Sequence, residues 1–289
     1  MSGASITLRQ ALRDAADRLA ADPLLADTAR RDAELLLLHV LAAPRTVLRS
    51  DPARLLNSEQ VQAYEACIAR RLQHEPVQYI VGSQEFYGLA FRVTPAVLIP
   101  RPETEHLVEA ALERLPHDRP VAIADIGTGS GAIAIALAHH LPLASVYALD
   151  LSPAALEVAG SNAAALGVES RMQFVVSDLL DALPSHQWHG FFDAVVSNPP
   201  YVPAGEAAQL HPQVSRYEPA SALYAEDDGL AIYKRLIPQA YKALKPGGLL
   251  AMEIGHGQRD AIAGLLSGWR DVGFVNDLQA IPRVALARR

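Results

Sequence analysis

Val121-Ala122-Ile123-Ala124-Asp125-Ile126-Gly127-Thr128-Gly129-Ser130-Gly131 is the stretch that decides how this chain folds. Residues 121–126 read as a buried strand, short, apolar and bounded at once by turn residues. The three alternate glycines that follow make a turn into a helix starting near Ala132, and they let the backbone pass close to a bound ligand. Working outward, strands and helices alternate. Residues 145–149 form a second strand that ends in Asp150, 21 residues beyond Gly129, where an acid can accept hydrogen bonds from ribose hydroxyls. Ser152 caps the next helix with Pro153 at its first position, and residues 172–176 make a third strand ending at Ser177-Asp178-Leu179. The apolar run 191–196 is a fourth. Such alternation implies a mostly parallel sheet with helices on both faces, and ligand groups gather where its strands end.

The fourth strand runs into Ser197-Asn198-Pro199-Pro200-Tyr201. Each proline forces the residue before it out of the helical region, so Asn198 sits in a stiff, extended loop. Neither proline has an N–H. The loop therefore offers carbonyl acceptors without matching donors, and the Asn198 side chain adds one more, which suits a planar N–H₂ group. Tyr201 offers an aromatic face against which a flat amide or base can lie. Further on, Lys245-Pro246-Gly247-Gly248 turns into a strand over 249–254, a helix starts near His256, and 273–287 supplies two last strands.

By itself the glycine turn also satisfies the dinucleotide fingerprint, because Gly127-x-Gly129-x-x-Ala132 matches it. Asp125, the third glycine at Gly131 and a loop built to hold an amide-like nitrogen tilt the reading toward S-adenosylmethionine. A nicotinamide enzyme needs a hydride acceptor site, and none is visible.

The N-terminal part is helical. Thr7 with Gln10 makes a capping box before Leu8, Leu12, Ala15 and Leu19; a second helix runs over about 28–42; a third follows the Asn57 and Gln60 capping box and carries Val61, Tyr64, Ile68 and Leu72 on one face. From His74 to Pro100 aromatic and β-branched residues surround Gly82 and Gly88, which reads as a hairpin linker. In Pro102-Glu103-Thr104-Glu105, Glu103 or Thr104 near a helix start is expected to cap it. Arg101, between two prolines, is rigidly presented.

Composition excludes several classes of function. The chain has 289 residues, half of them hydrophobic, and is long enough for one large domain plus a smaller one. With 25 Lys+Arg against 32 Asp+Glu the net charge is −7, which disfavours a broad phosphate-binding face and direct duplex nucleic acid binding. One cysteine, Cys67, permits no internal disulfide and no multi-thiolate metal site, and the 10 His are scattered, so no metal is expected. No signal-type or membrane-spanning apolar run is present, so the expected location is the cytosol, away from membranes.

The turn Asp125-x-Gly127-x-Gly129-x-Gly131, Asp150 and Asn198-Pro199-Pro200-Tyr201 look like a class I, Rossmann-like methyltransferase acting on an amino or amide nitrogen. More narrowly, the chain resembles the peptide chain release factor N(5)-glutamine methyltransferases, the HemK/PrmC-like family. Nearly the whole chain carries the resemblance: Gln78-Tyr79-Ile80, Glu85-Phe86-Tyr87-Gly88, Leu98-Ile99-Pro100-Arg101-Pro102-Glu103-Thr104-Glu105, Glu218-Pro219 with Ala222-Leu223, Asp228-Gly229-Leu230 and Glu253-Ile254-Gly255. The long proline-arginine-proline-glutamate stretch is the most specific.

The resemblance implies an α/β methyltransferase domain over 101–289 with a mostly parallel seven-stranded sheet, a helical substrate-docking domain over 1–73, and a β-hairpin linker over 74–100. It implies transfer of a methyl group from S-adenosyl-L-methionine to the side-chain amide nitrogen of the glutamine in the Gly-Gly-Gln motif of release factors. Gly127, Thr128, Gly129, Ser130 and Gly131 would pass under the cofactor's amino acid portion, Asp150 would bind its ribose, Asp178 and Leu179 would border its adenine, and Asn198 would touch it too. Asn198, Pro199, Pro200 and Tyr201 would hold the substrate, with Asn198, Pro199 and Tyr201 as the catalytic set. Leu179 departs from the family, where an aromatic often follows the acid, so apolar contact replaces stacking there. Two other readings compete: methylation of a ribosomal protein glutamine or of a nucleic-acid base, and a non-enzymatic adenosyl-ligand or dinucleotide-binding module.

Overall fold

The computed structural model of the chain describes residues 6–182 and 188–289. It divides into two compact units, Met1–Gly82 with Leu210–Tyr217, and Ser83–Gln209 with Glu218–Arg289.

The first unit is helical. Helix α1 (Leu8–Ala20) starts at Thr7, whose hydroxyl accepts the Gln10 N–H while Gln10 reaches back to the Thr7 N–H. Helix α2 (Ala29–Leu41) ends at Ala42 in a left-handed conformation; a short α3 (Val47–Ser50) follows; α4 (Ser58–Leu72) opens with the same reciprocal cap between Asn57 and Gln60. Leu8, Leu12, Leu19, Leu36, Leu37 and Ile68 pack into one core. Each such side chain contributes about 1.5–3 kcal/mol on burial. One buried charge pair crosses this core. Arg71 Nε lies 2.8 Å from Asp32 Oδ2, which also accepts the Thr28 hydroxyl at 2.9 Å.

The boundary differs from the one expected at 73/74. Residues 77–81 are a helical turn, α5 (Val77–Val81), not part of a hairpin. Pro76 precedes it, Gly82 closes it at φ 76°, and Val77 and Ile80 join the helical core. Burial has overridden β-branched propensity there. Only β1 (Ser83–Phe86) and β2 (Leu89–Arg92) pair as a hairpin, turned by Tyr87 and Gly88, both at positive φ. The hairpin belongs to the second unit.

In that unit α6 (Glu105–Leu112), β3 (Val121–Ile126), α7 (Ala132–His140), β4 (Ala144–Asp150), α8 (Pro153–Ala165), β5 (Met172–Val176) and β6 (Phe192–Ser197) follow in order. A two-residue pair, β7 (Val202–Pro203) with β8 (Tyr224–Ala225), precedes a helix at Ala231–Ala243 and the strand β9 (Leu244–Glu253). After the helix Arg259–Leu265 come β10 (Arg270–Asn276) and β11 (Pro282–Arg288), the two final strands expected. The seven-stranded order is β10-β11-β9-β6-β3-β4-β5. β5, β4, β3, β6 and β9 pair in parallel; β11 runs antiparallel to β9, and β10 antiparallel to β11.

Alternation along each strand builds two layers. Ile123, Val146 and Val196 face α6 and α7, while Ala124, Leu149 and Val195 face the Ala231–Ala243 helix. β9 starts at Leu244, earlier than expected, because the Lys245–Gly248 turn is absorbed as an irregularity between the Phe192–Leu244 and Ala194–Leu249 pairs. The final helix begins at Arg259, not near His256. From β3 the chain winds one way through β4 and β5, then returns to the other side of β3 with β6. That reversal opens a crevice at the carboxyl ends of β3 and β6. Among the described residues no helix is long and apolar enough to cross a membrane.

Candidate active site

A cavity of about 360 Å³ opens at that crevice. Its walls come from the glycine turn after β3, Asp150 after β4, Asp178 and Leu179 after β5, and Asn198, Pro199 and Pro200 after β6. Strand ends far apart in sequence thus converge on one space.

The glycine turn is held from both sides. Gly127 and Thr128 donate to the Leu149 carbonyl at 2.8 and 2.9 Å. Gly127, Gly129 and Gly131 have φ of 72°, 55° and 82°, where any side chain would be strained. A Cβ on Gly127 or Gly129 would meet nothing within 4 Å, so the space beside the turn is open to a ligand. Gly131 differs: a Cβ there would press on Ile135 at 2.8 Å, so this glycine serves helix packing.

Two carboxylates flank the turn. Asp150 accepts from the Gly129 N–H at 2.8 Å and from the Ser152 N–H at 2.9 Å, which aims it at the cavity and leaves lone pairs for hydroxyl donors. Asp125 is fully buried beneath the turn. Its Oδ2 accepts from the Thr128 hydroxyl at 2.7 Å and the Ala134 N–H at 3.2 Å, while Oδ1 has no partner among the described residues. Burial pushes this carboxyl up to about 7, and the neighbouring Asp150 charge adds to the effect. An orphan buried acceptor is costly unless a donor completes it.

Asp178 pairs with Arg235 of the Ala231–Ala243 helix at 2.7 Å, and Gln239 of the same helix accepts the Leu180 N–H at 3.0 Å. Leu179, between them, is held at φ 51° and lines the cavity.

Asn198 also lines it, with Thr104 beside it. The expectation that Thr104 or Glu103 caps a helix is corrected here: no side-chain cap is made at either the 3₁₀ turn Pro102–Thr104 or α6. Thr104 Oγ1 instead donates to Glu253 Oε2 at 2.6 Å and accepts from Asn198 Nδ2 at 3.1 Å. Glu253 is fully buried at the end of β9, and burial pushes its carboxyl up to about 7. Tyr201 does not line the cavity as its aromatic-face role requires; its hydroxyl sits 3.4 Å from Glu253 Oε1, and its carbonyl accepts from Gln258 at 3.3 Å. Burial raises the Tyr201 phenol well above its usual value, so it stays protonated.

Arg101 lines the cavity and pairs with buried Glu218 at 2.5 Å; Glu218 also accepts the Ile99 N–H at 3.1 Å. Thr104, Glu253 and Glu218 were not singled out as site residues from sequence. For Glu253 a signal existed: like Asp125, it is an acid within the last two residues of an apolar strand.

Family models match both units' sequence: the PrmC N-terminal domain over residues 10–82 and the methyltransferase small domain over residues 105–213. A release factor glutamine methyltransferase of Koribacter versatilis is 46% identical over 287 residues, 98% of this chain and 99% of its own length. The chain belongs to the release factor glutamine methyltransferase family. A second member, from Moorella thermoacetica, is 45% identical over 280 residues, 97% of this chain and 95% of its own. The fold reaches further than the family. The hMettl16 catalytic domain, solved in complex with the MAT2A 3'UTR hairpin 6, superposes with a TM-score of 0.58 at 15% identity, covering 87% of this chain and 91% of that one.

Proposed function

We infer that this family member transfers a methyl group from S-adenosylmethionine to the side-chain amide nitrogen of a glutamine in the Gly-Gly-Gln motif of peptide chain release factors, in the cytosol. Full-length identity of 46% to a release factor glutamine methyltransferase carries the reading. The residues present suit the cofactor. Open space beside Gly127 and Gly129 accommodates a ligand's close approach, and the unpartnered Asp125 Oδ1 calls for a cationic or N–H donor nearby. The turn 127–131, Asp150, Asp178, Leu179 and Asn198 would hold it.

When bound, the cofactor would supply an electrophilic methyl on a sulfonium sulfur, which would leave with the carbon–sulfur bonding pair as nitrogen takes the methyl. An amide nitrogen is a poor nucleophile because its lone pair is delocalised. The residues of the chain therefore act mainly by orientation, which in well-aligned systems contributes up to roughly 7–11 kcal/mol. Asn198 Oδ1 and the Pro199 carbonyl accept the two N–H groups of the glutamine and stabilise the positive charge that grows on nitrogen. The nitrogen then releases one proton to solvent. Tyr201, with its hydroxyl on Glu253, supports the wall and stays outside the reacting set.

The test is methyl transfer from labelled S-adenosylmethionine to purified release factor, beside ribosomal protein and RNA. Label on the release factor glutamine, absent when that glutamine is changed, is the expected result. Label on ribosomal protein or RNA alone would replace this substrate.

A further inference from the structure

An asparagine amide has two ends of opposite character, and only one is useful against an N–H₂ substrate. With its oxygen toward the cavity Asn198 accepts; turned over, it would present a donor to a donor. Nothing in residues 197–200 selects between the two, because a rotation about the last side-chain bond costs little on an extended loop. The selection comes from outside that loop.

Thr104 Oγ1 carries one proton. It is 2.6 Å from Glu253 Oε2; above about pH 7, where this carboxyl is ionised, that oxygen can only accept, so the hydroxyl proton is committed to that bond. The hydroxyl oxygen then has only lone pairs to offer its other neighbour. At 3.1 Å that neighbour is the Asn198 amide, which must turn Nδ2 toward Thr104. Oδ1 is left without a partner among the described residues, on a side chain that lines the cavity. Thr104 and Glu253 are both buried, so water does not compete for either bond. Glu253 is itself held in place: the Tyr201 hydroxyl lies at its other oxygen, and the Tyr233 hydroxyl donates to its main-chain carbonyl at 2.8 Å.

We propose that Thr104 and Glu253 are positioning residues for methyl transfer: the buried carboxyl fixes the direction of the Thr104 hydroxyl, and the hydroxyl fixes the Asn198 amide with its oxygen facing the substrate nitrogen. This rests on Asn198 acting as the acceptor for the substrate amide. The pair takes no part in bond making. It sets the fraction of time that Asn198 spends in the accepting orientation, so its loss lowers the transfer rate and leaves cofactor binding alone.

The experiment compares single-turnover methyl transfer to intact release factor, at saturating S-adenosylmethionine, in wild type, Thr104→Val, Thr104→Ser, Asn198→Ala and the Thr104→Val/Asn198→Ala double variant. Valine keeps the shape and removes the hydroxyl. Thr104→Val should slow transfer by about 10- to 100-fold, the scale of one misdirected buried hydrogen bond, with cofactor affinity unchanged. Thr104→Ser, which restores only the hydroxyl, should return to within about threefold of wild type. In the double variant the Thr104 change should add nothing to the Asn198→Ala loss, because there is no amide left to orient. A wild-type rate for Thr104→Val beside a slow Asn198→Ala overturns this proposal and leaves the Asn198 role standing. A wild-type rate for Asn198→Ala removes both. Should Thr104→Val fold poorly, seen as lost cofactor binding, Glu253→Gln replaces it: an amide can donate as well as accept, so transfer should again slow, and a wild-type rate would count against the proposal.

Discussion

Buried charge is handled in opposite ways at two places in this chain, one in each unit. In the helical unit Asp32 and Arg71 are both buried and meet at 2.8 Å, with Thr28 taking another lone pair, so each ion is compensated. In the methyltransferase unit Asp125 and Glu253 are buried, bonded among the described residues to hydroxyl and amide donors and to no cation, and both carboxyls are pushed up to about 7. Burying an acid without a bonded cation is expensive, and here each acid holds a hydroxyl of the cavity wall in place, Thr128 at Asp125 and Thr104 at Glu253. Elsewhere in the same unit buried acids do meet cations: Asp193 pairs with Lys245 and Arg119, and Glu218 with Arg101.

Breaking the compensated pair should give the largest effect. Arg71→Met leaves Asp32 buried without its cation and should lower unfolding free energy by about 3–5 kcal/mol in urea denaturation of the full chain. Adding Asp32→Leu should restore most of it. A silent Arg71→Met would erase the contrast between the two places.

On the other side of the comparison, Asn198→Ala should cut the transfer rate by about 10²–10³ with little change in cofactor affinity, because it removes one preorganised acceptor for developing charge. Single-turnover rates beside titration calorimetry separate the two quantities. Smaller again, Asp150→Ala should weaken S-adenosylmethionine binding by about 1–3 kcal/mol through lost hydrogen bonds to the ligand. Because Asp150 also holds the Gly129 N–H, unchanged affinity would mean that neither bond matters to the cofactor.

The last test sharpens the contrast through pH. Asp125 and Glu253 titrate near 7 when folded, against ordinary values of 3.8 and 4.5. Between those limits the folded chain holds protons that the unfolded chain has released. Stability from these groups is therefore present at low pH and lost as pH rises toward 7, with a slope of up to about 1.4 kcal/mol per pH unit for each. Asp125→Asn with Glu253→Gln should flatten that part of the profile, measured by urea unfolding across the same range. An unchanged slope would show that the two acids are compensated after all.

Much of this molecule was legible in the linear sequence because local rules decide it. The strand Val121–Ile126, the strand Met172–Val176, the caps at Thr7, Asn57 and Ser152, and the glycine turn all depend on neighbours within a few residues. Sequence spacing also brought Gly127 to Gly131, Asp150, Asp178 and Asn198 to the ends of strands, and in a parallel sheet those ends share one edge. What tertiary structure alone decided depends on contacts across long separations. Val77–Val81 is helical because Val77 and Ile80 join the helical core, a burial that no local propensity encodes. Thr104, read as a cap, meets Asn198 and Glu253 at separations of 94 and 149 residues. Tyr201 moved behind the wall because a hydroxyl partner and packing, not aromatic character, set where its ring goes. Proline and glycine restrict their own backbone, so they can be read in place; a hydroxyl or carboxyl acquires its role from the partner the fold brings to it, and that partner is written elsewhere in the chain.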